Sequence, residues 1–159
     1  MARPSLPDGR GLRPGRLPVG MDHAATTRRA YELINAGDLE GFARHLADDV
    51  VEHEELPGLA ATKDGILAFF RMQLAAFPDM RMDVQDVVAS GDKVVARVRY
   101  TGTNRGDFMG APATGRSVDA QLIDIFRFGD DGLVHEHWGV MDQLTMMQQL
   151  GLVPAGPPA

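Results

Sequence analysis

Apolar positions recur at helical spacing through the first half of the chain and alternate through most of the second. Ala24, Thr27, Tyr31 and Ile34 fall about a turn apart, Asp22 stands where an N-cap belongs, and Asn35-Ala36-Gly37 stops the run, so a helix is predicted over about 22–36. Asp38 opens a short second helix with Leu39, Phe42, Ala43 and Leu46 on one face. A short strand, Val50 to His53, follows, and Glu54 to Ala61 contains Pro57 and Gly58 and reads as loop. A third helix over about Thr62 to Ala76 carries Ile66, Phe69, Phe70, Gln73 and Phe77 as its stripe, and Pro78 ends it.

The period then changes to two. Met80 to Ala89, Lys93 to Thr103, Ser117 to Phe128 and Leu133 to Met141 alternate as strands, with turns at Ser90-Gly91-Asp92 and Gly129-Asp130-Asp131-Gly132. Gly106 to Gly115 is a Gly/Pro loop. Asp142 caps a last helix, Gln143 to Leu150, closed by Gly151. Helices first and mainly antiparallel strands afterwards define an α+β fold. A curved sheet wrapped around those helices would leave a closed-bottomed cone, a natural small-molecule pocket.

Composition narrows the picture. The chain has 159 residues, enough for one domain with a real core, and its 44% hydrophobic content agrees. It has no Cys, which excludes disulfides, Cys-based zinc sites, iron–sulfur ligation and a thiol nucleophile. A net charge of −6 disfavours a nucleic-acid partner. No apolar run is long enough for a membrane helix and no secretory signal pattern opens the chain, so a cytoplasmic location is expected. Residues 1–21 are rich in Pro, Gly and Arg and predict a disordered tail. It is either part of the native protein or an extension upstream of a true start at Met21. The folded domain is expected over 22–153, with 154–159 a second tail.

Four segments carry a resemblance: AFPDM (76–80), GTNRGDFMGAPATGR (102–116), DIFRF (124–128) and HEHWGVMDQLTMMQQLG (135–151). Together and in this order they resemble the SnoaL-like polyketide cyclases, or ester cyclases, of the NTF2-like superfamily. The resemblance implies a cone-shaped barrel of N-terminal helices on a curved sheet, assembled as a homodimer or homotetramer. It implies chemistry with no cofactor and no metal, of the aldol type, in which a polyketide ester precursor closes a ring. It also implies an acid/base Asp one place before a Trp in the last long strand. Here the triplet is Glu136-His137-Trp138, so His137 takes that place, and Asn104 stands where the family often has His.

The residues themselves suggest roles. Alternation sets Leu133, His135, His137, Gly139 and Met141 on one strand face, and the resemblance turns that face to the cone. An imidazole titrates near neutrality and can take a proton from carbon and return it to oxygen; apolar neighbours would lower its pKa. Gln121, sharing a face with Asp119, Ile123 and Ile125, is a candidate to hold enolate charge. His53 is a candidate to orient a substrate oxygen or relay a proton at the cone's mouth. Tyr31, Asn35, Phe69, Gln73, Phe77, Asn104, Phe108, Ile123 and His135 are candidates for the substrate-binding wall, set against ordinary core packing for most of them. Glu52, Glu54 and Glu55 read as a solvated acidic loop, and Asp124 as a structural partner of Arg127 or Arg99. No metal site is expected, since neither Glu52-His53-Glu54-Glu55 nor His135-Glu136-His137 is joined by further ligands at a binding spacing.

The leading expectation is therefore a cofactor-independent acid/base enzyme closing a ring on a polyketide-like carbonyl substrate. The alternatives are an isomerase, dehydratase or hydrolase using the same pocket, and a small-molecule-binding protein with no chemistry.

Overall fold

The computed structural model describes residues 22–54 and 58–154. Four helices and five strands follow one another: α1 (His23–Asn35), α2 (Leu39–Ala43), β1 (Leu46–Glu52), α3 (Lys63–Ala76), β2 (Arg81–Ser90), β3 (Lys93–Thr103), β4 (Ser117–Phe128), β5 (Val134–Met141) and α4 (Gln143–Leu150). Side-chain oxygens of Asp22, Asp38, Thr62 and Asp142 accept from free amides in the first turns of α1 to α4 respectively. Gly151 ends α4 in the left-handed region at φ 74°, a conformation that costs glycine little. No helix among the described residues is long and apolar enough to cross a membrane. The expectations for residues 1–21 and 155–159 lie outside the described residues.

The strands form one sheet in the order β1-β5-β4-β3-β2. The three hairpin pairings are antiparallel, and β1 runs parallel to β5 at the edge. The architecture is the α+β one expected from the sequence: N-terminal helices on the concave face of a curved, mostly antiparallel sheet. One boundary differs. The strand expected from Val50 begins at Leu46, because Val134 N–H donates to the His45 carbonyl and draws this segment into the sheet.

The core follows from register. Val94, Ala96, Val98 and Tyr100 of β3 are buried to 3% exposure or less. Their partners across the ladder are Phe126, Asp124, Leu122 and Ala120 of β4, so the even-numbered positions of both strands face the helices. Tyr31 and Ile34 of α1 and Ile66 of α3 pack onto that face. The ladder between β4 and β5 carries an irregularity: Arg127 pairs with Glu136 but Phe128 with Val134, leaving one extra residue on β5.

Candidate active site

Between α1, α3 and the concave face lies a cavity that opens to solvent at its mouth. Apolar side chains such as Phe42, Phe69, Phe70, Met80, Met82 and Leu122 form most of its wall. The polar groups gather in two places. Tyr31, Glu52, Glu54, Asp124 and His137 line one part, and Gln73 and Tyr100 another.

His137 sits at the centre of the first group. Its Nδ1 lies 2.7 Å from Glu52 Oε2 and its Nε2 3.3 Å from Asp124 Oδ1. The Tyr31 hydroxyl donates to Asp124 Oδ2, and the Glu54 amide N–H donates to Glu52 Oε1 at 2.8 Å. Each partner arrives on a different element: Tyr31 on α1, Glu52 at the end of β1, Asp124 on β4 and His137 on β5. Glu52 and His137 are direct neighbours in the parallel register, and Phe126 covers the imidazole at 5.0 Å between ring centres.

This setting fixes the charge. Burial opposes a cationic imidazole, but hydrogen bonds to Asp124 and Glu52 and the charges of both carboxylates outweigh it and hold the His137 pKa at about 10. His137 is therefore an imidazolium at neutral pH, with Nδ1 hydrogen-bonded to Glu52 and Nε2 ion-paired with Asp124. This corrects the expectation of an imidazole whose pKa is lowered by apolar neighbours: the sequence showed the Val and Phe but not the two carboxylates. Burial, and then the charge of Asp124, keep the Tyr31 phenol protonated far above its usual range.

Glu54 differs from the other acids. Its carboxylate accepts no hydrogen bond from the described residues, and burial is the main cause that raises its pKa above the ordinary value, aided by the charges of Asp124 and Glu52 against that of His137. Gly139 makes room for it. A Cβ there would fall against Glu54 Oε2 and lie 3.1 Å from both Asp124 Oδ1 and His137 Cε1. Glu52, Glu54 and His137 bring one ligand-type atom each within 4.8 Å of one another. An imidazolium with both N–H groups on carboxylates has no lone pair for a cation, so this arrangement suits proton handling better than metal binding.

The structure places the expected residues as follows. His137, Tyr31, Phe69 and Gln73 line the cavity. Gln121 and Ile123 do not: they occupy the opposite face of β4, where Gln121 pairs with Arg99 in the ladder, accepts from Arg97 and is exposed. Ile123 is 48% exposed. His53 lies on the outer side too, stacked on Trp138 at 4.5 Å and bonded to Glu136, so it cannot relay protons to His137 directly. The extra residue in β5 reverses the alternation before Glu136, and His135 turns out to Asp131 and Asp49 while Val134 faces in. Asn35 clamps the Met82 backbone, accepting from its N–H and donating to its carbonyl. Asn104 is 1% exposed and holds the following loop through Gly106 and Thr114. Phe77 and Phe108 pack edge-on against each other behind the wall.

Sequence reasoning missed Glu52, Glu54, Asp124 and Gly139 as site residues. Asp124 gave a signal, because it is the one acid in the otherwise apolar series Val118, Ala120, Leu122, Phe126. Glu52 and Glu54 gave none, since an acidic run at a strand end is ordinarily solvated.

Fold and cavity together define a cone-shaped small-molecule site ending in a buried acid/base array. The model of the SnoaL-like polyketide cyclases matches residues 24–150, and the chain belongs to that family, within the NTF2-like superfamily. It is 26% identical over 129 residues to the aklanonic acid methyl ester cyclase DnrD of Streptomyces peucetius, covering 78% of this chain and 87% of that one. Among solved structures it is similar to AclR of Streptomyces galilaeus, described as a candidate hydroxylase, with TM-score 0.76 and 31% identity over 85% of this chain and 84% of that one. It is also similar to IdmH of Streptomyces antibioticus, described as a candidate polyketide cyclase, with TM-score 0.72 and 36% identity over 82% and 99%. The general chemistry of the family is of the polyketide cyclase type.

Proposed function

We propose that this protein closes a ring on a polyketide-like substrate by intramolecular aldol-type condensation, using no cofactor. The observation that carries this reading is His137 held on the pocket wall between Glu52 and Asp124, beside a carboxylate, Glu54, that accepts no hydrogen bond from the described residues.

In this mechanism Glu54 is the base. It removes a proton from a carbon flanked by carbonyls, and the electron pair moves onto the carbonyl oxygen as an enolate. The enolate carbon then attacks a second carbonyl of the same molecule, forming the C–C bond and an alkoxide. His137 is the acid. Its Nε2 contact with Asp124 is the longer of its two at 3.3 Å, which makes that N–H the one to be shared with the developing oxyanion. Tyr31 and Glu52 hold Asp124 and His137 in place. Transfer of the captured proton from Glu54 to His137, its neighbour within 4.8 Å, resets the site. Atoms balance: one hydrogen moves from carbon to oxygen, and the product is an isomer of the substrate.

Aklanonic acid methyl ester, the compound for which the DnrD relative is named, is a suitable first substrate. Chromatography with mass detection should show a new species of unchanged mass, in which one α-hydrogen has moved from carbon to a new hydroxyl. No isomer from this or other ester-bearing polyketones at any pH would overturn the reading. We further propose that the protein pairs with itself through the outer face of the sheet, where Val88, Ile123 and Val140 are exposed.

A further inference from the structure

The second polar place in the cavity is left idle by the ring-closing steps. Gln73 projects from α3 and is only 7% exposed. Its Oε1 accepts a hydrogen bond from the Tyr100 hydroxyl at 3.0 Å. Burial, and then the charge of Asp79, keep that phenol protonated well beyond its usual range, so it remains a donor. With its oxygen engaged, the Gln73 amide presents its nitrogen elsewhere. The nitrogen has no partner among the described residues, yet no fully buried polar side-chain atom is left unpaired. Its N–H groups therefore open onto the cavity that Gln73 lines. Phe69, Met80, Met82 and Leu122 line the same cavity, and none of them offers an acceptor oxygen from its side chain.

We propose that Gln73 is a second recognition point, donating an N–H to a carbonyl or phenol oxygen at the end of the substrate remote from the reacting carbon. Tyr100 is its positioning residue, since its O–H holds the amide with the donor side inward. A donor aimed into an apolar cavity discriminates sharply, because a ligand lacking the matching oxygen leaves the amide dry and unpaired. Register sets the scale. Tyr100 lies opposite Ala120, and Asp124 is four positions further along β4. At about 3.4 Å per residue the two polar places are roughly 14 Å apart along the backbone. That span suits a fused polycycle with oxygens at both ends better than a single ring.

This inference rests on the polyketide reading above, but its test does not require turnover. The probes are 2-acetylnaphthalene and 2-ethylnaphthalene, which share a shape and differ by one acceptor oxygen. Equilibrium dialysis against the full chain should show the ketone bound about tenfold more tightly, the equivalent of one well-made hydrogen bond. Gln73→Met should abolish that preference while leaving the affinity for 2-ethylnaphthalene unchanged, which also reports that the pocket is intact. Tyr100→Phe should reduce the preference by freeing the amide to rotate, and His137→Gln should leave it in place. An equal affinity of the parent for both probes, a preference that survives Gln73→Met, or one that disappears only in His137→Gln would each overturn the assignment. If neither probe binds the parent, the apolar pocket required by the proposed function fails, and this inference with it.

Discussion

At the scale of single residues, the chemistry depends on which group holds the proton. A pKa held at about 10 makes His137 an acid in the resting protein, and a carboxylate must then be the base. Of the acids lining the pocket, Glu52 and Asp124 are committed to the imidazolium, and only Glu54 lacks a side-chain partner among the described residues. Glu54→Gln should lower kcat by about 10²–10⁴-fold with little change in KM. It should also erase the acidic limb of the kcat/KM profile; a limb that persists would assign the base elsewhere. Glu52 on β1, Asp124 on β4, His137 on β5 and Tyr31 on α1 are the other titratable groups lining that region, so the limb belongs to Glu54 only if it disappears with it. The imidazolium also links stability to pH. Its folded pKa is above the unfolded value of about 6.5, so its contribution is complete below that pH and is lost as pH rises through about 10. Melting temperature should fall across that window, and the fall should be shallower in His137→Gln.

At the scale of elements, most of the secondary structure is legible because each helix announces its own start. Asp22, Asp38, Thr62 and Asp142 all bond the amides ahead of them. Asp142 also accepts from the Thr145 hydroxyl at 2.7 Å, and its N–H donates to the Gln121 carbonyl. Asp142→Ala should cost about 1 kcal/mol in denaturant unfolding, and a neutral result would mean that packing alone holds α4. Strand faces were less legible. The apolar even positions of β3 are plain in the sequence, but only the pairing of Ala96 with Asp124 and of Arg99 with Gln121 shows which face of β4 joins them. Alternation by itself could not choose between Gln121 and Asp124. Nor could it foresee the extra residue in β5, which a local pattern does not encode and which sends His135 outward while His137 stays inside.

At the scale of the whole molecule, the fold and the family were readable from four motifs, whereas the acid/base array was not. Its members are scattered along the chain and meet only through the sheet. The same sheet has a second face with its own character. Val88, Ile123 and Val140 are 65%, 48% and 75% exposed there. Surrounding charges are already matched, Arg97 with Asp86 and Arg99 with Asp119. A face with an apolar middle and balanced charges can meet a copy of itself without repulsion. Ile123→Lys combined with Val140→Lys should shift the sedimentation coefficient to that of a monomer with the melting curve largely preserved. A parent protein already monomeric at high concentration would remove the proposal.

The parallel contact between β1 and β5 has a consequence for biosynthesis. Glu52 and His137 stand 85 positions apart, and their meeting joins an early strand to a late one. Contacts between distant parts of a chain close slowly and only after the intervening segments are in place. A nascent chain leaving the ribosome therefore carries Tyr31, Glu52 and Asp124 without the cation they surround, and it stays chemically silent until its last strand has docked.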